Sequence, residues 1–189
     1  MQRDRIIQQL EAYQAKWENE SQTVRRLIDF IAAHEDFHSQ ALRQGHITGS
    51  AWLVNRAGTH VLLTHHRKLN KWIQLGGHAD GDSDPLSAAL REASEESGLE
   101  KIEPVSEEIF DVDIHEIAAR ENEPAHFHYD IRYALRAACP ENYIVSDESH
   151  DLEWIKIDRL QDFTVEESVL RMAAKWKRRA GKDGGRCRV

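Results

Sequence analysis

The stretch from Gly76 to Leu99, GGHADGDSDPLSAALREASEESGL, restricts the fold of this chain more than any other. A glycine pair leads into a short acidic loop and then Asp84-Pro85. Asp84 can accept hydrogen bonds from the free amides that open a helix, and Pro85 suits the first helical position, where no N–H is needed. The spacing predicts a helix from there to Gly98, a residue suited to end it in a left-handed conformation. At about 100° per residue, Leu86, Ala89, Leu90, Ala93 and Ser97 form a narrow apolar stripe fit to pack on a sheet. Glu92, Glu95 and Glu96 fall on a different arc, at i, i+3 and i+4. Carboxylates so crowded repel one another. They are either a solvated acidic face or a site for a hard cation such as Mg²⁺, which prefers oxygen ligands and turns the repulsion into attraction.

The fixed positions around these glutamates choose between the two. Gly77, five residues, Ser83, seven residues and then Arg91-Glu92-Ala93-Ser94-Glu95-Glu96-Ser97-Gly98-Leu99 resembles the Nudix box, G-x5-E-x7-R-E-U-x-E-E-x-G-U with U aliphatic. Every fixed position matches except one, where Ser83 stands in place of the first Glu. A match of this length, in its loop–helix context, is far more specific than a lone glycine motif. The resemblance implies an α/β fold, an α/β/α sandwich around a mixed sheet. It also implies hydrolysis of a P–O–P bond in a diphosphate linked to another group, with Mg²⁺ or Mn²⁺ as cofactor. By the same resemblance Glu92 and Glu96, one turn apart, are direct metal ligands together with the Gly76 carbonyl. Glu95 is a further ligand or the general base, and Arg91 orients the carboxylates by pairing with Glu95. Many Nudix-like enzymes take one more carboxylate from a loop beyond the box. Glu148, in Ser146-Asp147-Glu148, is the candidate for that base or second-metal ligand. Asp82 or Asp84 are the candidates to replace the missing Glu, although Asp84 has a competing task as helix cap.

A Mg²⁺ ion held by carboxylates and a carbonyl keeps positions for water and substrate phosphates. It lowers the pKa of its bound water, whose proton a nearby free carboxylate can take.

The rest of the chain reads as support for this segment. Its 189 residues suit one domain with an appendage: a helical extension over 1–45, a catalytic domain over 46–181 and a flexible tail over 182–189. In 1–45, Ile6, Leu10, Tyr13 and Trp17 recur at helical spacing. Ser21 is placed to cap a second helix carrying Val24, Leu27, Ile28 and Ile31. Both stripes need a partner, either the main domain or a second copy in a homodimer. Strands are expected at 46–55, 60–66, 72–75, 109–117, 126–137 and 152–157, with a further short one at 143–145. Thr164 to Glu167 reads as a capping box opening a last helix with Val169, Met172 and Trp176 inward. A net charge of −8 argues against a general nucleic-acid binder. No run has secretory or membrane-spanning character, so no membrane partner is expected. Cys139 and Cys187 do not make a disulfide framework, and the cytoplasm is the simplest compartment.

Eleven histidines are the second peculiarity. His126 and His128, two apart on a strand, share a face with Asp130. His65, His66, His78 and His115 are expected near the same end of the sheet. Strand histidines can bind Zn²⁺ or another transition metal, hydrogen-bond phosphates, or simply be buried with satisfied ring nitrogens. The family resemblance puts substrate over that face, so His78, His126 and His128 are candidate substrate contacts. Trp72 is either a platform for a nucleotide base or a core residue. The partner expected is a small nucleotide or other diphosphate. Two other functions share the fold. One is an enzyme resembling isopentenyl diphosphate isomerase, which places a Cys where this chain has Gly76 and carries a His-rich metal site. The other is a non-catalytic nucleotide sensor, suggested by Ser83.

Overall fold

The computed structural model describes residues 2–79, 83–119, 124–138, 141–145 and 149–183. Its organising strand is β1 (Gly45–Val54), buried at every residue. β1 runs parallel to β7 (His126–Ala137), with His46 opposite His128 and Val54 opposite Arg136. Its other edge pairs antiparallel with β4 (Leu75–His78), Thr48 opposite His78 and Ser50 opposite Gly76. At Val54 that edge passes to β2 (His60–His66). β2 also carries β3 (Lys71–Ile73) and β8 (Ser149–Lys156). β5 (Ile102–Pro104) and β6 (Asp111–Ile117) pair with β7 and complete a mixed eight-stranded sheet.

Alternation along the strands divides the core in two. Ile47, Ala51 and Leu53 of β1, with Ile131, Tyr133 and Leu135 of β7, join α1 (Gln2–Lys16), α2 (Ser21–Ala33) and α3 (Pro85–Ser97). Trp52 and Val54 of β1 and Ala134 of β7 join Val169, Met172 and Trp176 of α4 (Glu167–Asp183). The sheet thus carries helices on both faces, the layered α/β arrangement expected. The N-terminal stripes are consumed within the chain: Ile6, Leu10, Tyr13, Val24, Leu27 and Ile31 are all at most 2% exposed. Of the two partners open to that hairpin, the main domain is the one it has.

Several local expectations are corrected. Ser21 does not cap α2; its hydroxyl donates backward to the Glu18 carbonyl, and the residue before the helix, Glu20, makes no side-chain cap. The last helix starts at Glu167, because the Thr164 hydroxyl is engaged between the Glu166 N–H, which it accepts, and the Trp72 carbonyl, to which it donates. Residues 143–145 are not a strand; the Ile144 N–H caps the end of α3 through the Ser97 carbonyl instead. β5, three residues long, is too short to show a period. Most of the tail, 184–189, lies outside the described residues. No helix among the described residues is long and apolar enough to cross a membrane.

A buried ionic network ties these layers together. Asp111 of β6 accepts from Arg132 of β7 at 3.1 Å and from Arg171 of α4 at 2.8 Å, and Lys175 of α4 donates to it at 2.5 Å. Lys175 also meets Glu20 at 2.7 Å and the Tyr13 hydroxyl, both from the N-terminal segment. Arg132 continues to Asp130 at 2.7 Å, which accepts from Thr48 and Ser50 of β1 at 2.9 and 2.7 Å. The chain of charges therefore reaches from the N-terminal hairpin to the strand that faces Gly76.

Candidate functional site

α3 is held where its sequence says it should be. Asp84 accepts from the Leu86 N–H at 3.3 Å and from the Ser87 hydroxyl, Pro85 opens the helix, and Gly98 closes it at φ +68° with its N–H on the Ser94 carbonyl. Ala89, Ala93 and Ser97 are buried against the sheet, so Glu92 and Glu96 are brought over the glycine pair of β4. Glu96, 9% exposed, accepts the Gly76 N–H at 2.7 Å. Glu92 lies against Gly77 so closely that a Cβ there would sit 2.6 Å from its Oε2. Gly76, at φ +150°, likewise has no room for a side chain: a Cβ would meet the Ser50 hydroxyl at 2.3 Å. Gly77 is what lets the Glu92 carboxylate close on the strand, and Gly76 is what lets the strand lie against Ser50 of β1.

Arg91 is the organiser of this corner. Its guanidinium donates to Glu92 at 2.7 Å, to Glu95 at 3.4 Å and to the His78 carbonyl at 2.7 Å. The pairing with Glu95 is present, but the shorter bonds are to Glu92 and β4. Glu95 stands further out, its side chain 62% exposed. Glu148 lies outside the described residues, as does Asp82. Asp84 is committed to capping, so its carboxylate does not replace the Glu missing at Ser83.

The oxygen donors fit a hard divalent cation. Two carboxylates bracket Gly76 and Gly77, and one guanidinium offsets part of their charge. Glu92, Glu96 and the Gly76 carbonyl are the residues that could hold Mg²⁺ or Mn²⁺.

On the opposite face of β4 the structure assembles imidazoles. His46, His78 and His128, from β1, β4 and β7, offer ligand atoms that all lie within 4.8 Å of one another. His126 joins them, its Nε2 3.3 Å from Nε2 of His128, and His115 packs edge-on to His128. Burial and the neighbouring imidazoles of His78 and His126 push His46 down to about 4. Burial, with His115, His46, His78 and His126 around it, pushes His128 down to about 2. Both rings are neutral at physiological pH. The expected grouping is thus met by His78, His115, His126 and His128 but not by His65 and His66. His65 stacks on Trp72 and tilts against His150, and His66 caps the turn after β2 by accepting the Lys68 N–H. Trp72 also meets Phe163 edge-on, which are the contacts of a packing residue away from the histidine group. His46 was not legible as a member; only its register opposite His128 reveals it.

With this geometry established, comparison with known proteins is decisive for the family. The family model for the NUDIX domain matches residues 46–176. The chain belongs to the Nudix family. As a Nudix-type hydrolase it is a diphosphate-cleaving enzyme in general terms. No curated protein matches the sequence. Similar solved structures include an Ap4A hydrolase of C. elegans, with a TM-score of 0.58 and 16% identity over 72% of this chain and 98% of that one. A NUDIX-family hydrolase from Clostridium perfringens has a TM-score of 0.52 and 25% identity over 71% and 97%. A UDP-X diphosphatase has a TM-score of 0.52 and 13% identity over 94% and 93%. That last coverage is too large to leave out both N-terminal helices, so the extension has a counterpart in a Nudix fold.

Proposed function

We propose that this Nudix hydrolase is metal-dependent and cleaves the P–O–P bond of a nucleoside diphosphate linked to another moiety. The observation that carries the reading is the closure of Glu92 and Glu96 on the glycine pair, with Arg91 bound to Glu92 and to β4. The substrate class draws on the names of two similar structures, an Ap4A hydrolase and a UDP-X diphosphatase. When bound, Mg²⁺ or Mn²⁺ supplies charge neutralisation for the diphosphate and acidifies a coordinated water.

The chain's own residues have separable tasks. Glu92 and Glu96 hold the cation, and Gly77 lets Glu92 approach the strand while Glu96 takes the Gly76 N–H. Arg91 positions Glu92 and fixes the strand at His78. Glu95, exposed and held by Arg91 at 3.4 Å, takes the proton from the attacking water, or Glu148, outside the described residues, does so. His78, His126 and His128 face away from the glutamates and are given no part in the cleavage step.

The test is hydrolysis of a panel of nucleoside diphosphate sugars, dinucleoside polyphosphates and nucleoside triphosphates with Mg²⁺ or Mn²⁺. Glu92→Gln and Glu96→Gln are expected to lose at least the roughly 100-fold seen when groups supporting a metal are removed. Glu95→Gln is expected to lower kcat with the metal requirement unchanged. Wild-type turnover in both ligand variants rejects the assignment.

A further inference from the structure

The cluster of imidazoles has no task in the hydrolysis derived above that requires its geometry. Neighbouring residues of a strand point to opposite faces. Gly77 faces Glu92, so His78 faces away from the glutamates, toward β1 and β7. Three consecutive strands, β4, β1 and β7, thus each place one imidazole at one point: His78, His46 and His128, with ring centroids 4.9–5.1 Å apart.

His46 makes this more than a crowded corner. It is 1% exposed, and neither of its ring nitrogens has a hydrogen-bond partner. A buried polar atom without a partner is destabilising, and such atoms are rare unless something absent from the chain satisfies them. His126 is prepared in a complementary way. Its Nδ1 donates to the Pro124 carbonyl at 3.0 Å, which leaves the lone pair on Nε2. A backbone carbonyl on the far nitrogen is the usual support of a metal-binding histidine. That Nε2 is 3.3 Å from Nε2 of His128. Two ligands of a tetrahedral Zn²⁺ with Zn–N of about 2.05 Å are separated by about 3.3 Å.

We propose that His46, His78 and His128, closed by His126, form a second cation site, for a divalent transition metal of the zinc class, separate from the glutamates. Imidazole nitrogen suits zinc and its neighbours in the series, whereas Mg²⁺ favours the oxygens of Glu92 and Glu96. The two donor sets therefore sort two kinds of ion onto opposite faces of one strand. A cleft of about 400 Å³ lined by Gln40, Ala41, Leu42, Arg43 and Pro124 borders the cluster at His126. The imidazole site is independent of whether the glutamates hydrolyse a diphosphate.

Cobalt reports it directly. Full-length protein stripped with a chelator is titrated with Co²⁺, followed by visible absorption, and then with Zn²⁺, followed by thermal melting. Expected are the intense visible bands of tetrahedral Co²⁺ saturating at one ion per chain, their displacement by Zn²⁺, and a higher Tm with Zn²⁺ bound. His46→Asn is expected to weaken Co²⁺ binding at least about 100-fold. His78→Asn, at a less buried position, is expected to do the same and serves if the first variant does not fold. Glu92→Gln and Glu96→Gln are expected to keep the bands. Bands that survive both histidine variants, or that vanish in the glutamate variants, overturn the site. So does wild-type protein that hydrolyses its substrate with Mg²⁺ yet gives no tetrahedral bands, a result that leaves the hydrolase reading intact. Bands with the expected histidine dependence, in a protein without turnover, support the site and count only against the hydrolase.

Discussion

At the scale of single residues, the account turns on how closely two carboxylates approach one strand. Gly77→Ala puts a Cβ 2.6 Å from Oε2 of Glu92, which must swing away. The Mg²⁺ concentration for half-maximal activity is expected to rise tenfold or more while the melting curve barely moves; metal titration of initial rates, with a melt alongside, measures both. Asp84→Ala should do the reverse. It removes the cap of α3, worth about 1 kcal/mol, and lowers Tm by about 2–4 °C in a chain of this size, with little change in turnover at saturating Mg²⁺. These roles were legible in the sequence because they are local. The box spaces Glu92 and Glu96 one turn apart, and Asp84-Pro85 and Gly98 punctuate the helix without reference to the rest of the fold. Ser21 and Thr164 offer equally good local signals, yet the Ser21 hydroxyl donates back to the Glu18 carbonyl and the Thr164 hydroxyl accepts the Glu166 N–H, just before the helix begins. A capping residue is a competition among acceptors, and the sequence names only one competitor.

At the scale of elements, what was hidden is what strand pairing creates. Alternation shows that His126, His128 and Asp130 share a face, but not that β1 runs parallel beside them with His46 in register. The same holds for Asp111, whose buried partners come from β7, α4 and, through Lys175, the N-terminal segment. Asp111→Ala removes the carboxylate shared by Arg132, Arg171 and Lys175, leaving Asp130 and Asp113 to Arg132 and Glu20 to Lys175, and is expected to cost about 3 kcal/mol in urea unfolding. Acid should probe the same group. Burial pushes the Asp111 carboxyl up, but the Arg171 hydrogen bond and the charges of Arg132, Lys175 and Arg171 outweigh it and hold the group below its usual 3.8. Glu20 and Tyr13 meet the network through Lys175, and Asp113 and Asp130 meet it through Arg132. A carboxylate with a depressed folded pKa stabilises the fold fully above its unfolded value and loses that contribution as pH falls through the folded one. Urea midpoints of the wild type are therefore expected to fall below about pH 4, with a shallower fall in Asp111→Asn; equal slopes count against the assignment.

At the scale of the whole molecule, the family match begins at residue 46, but the fold does not. Seven side chains of the N-terminal hairpin are sealed into the core that holds α3, and Glu20 and Tyr13 close the charge chain that ends at Thr48 and Ser50 beside Gly76. Removal of residues 1–34 should therefore give an aggregating or non-cooperatively unfolding chain, by size-exclusion chromatography and circular dichroism, rather than a smaller active enzyme. The layered architecture was legible because strand and helix periods alternate along the chain; how the extension docks was not, since an apolar stripe does not name its partner. The central claim is that Glu92 and Glu96 hold the cation that makes a diphosphate hydrolysable. It is tested most directly by hydrolysis of a nucleoside diphosphate sugar in ¹⁸O-labelled water, followed by mass spectrometry, for the wild type and for Glu96→Gln of matched thermal stability. The account predicts Mg²⁺- or Mn²⁺-dependent cleavage with ¹⁸O in one phosphate-bearing product, and a rate at least about 100-fold lower in the variant. Cleavage that ignores the divalent ion, or a variant as fast as the wild type, would contradict it.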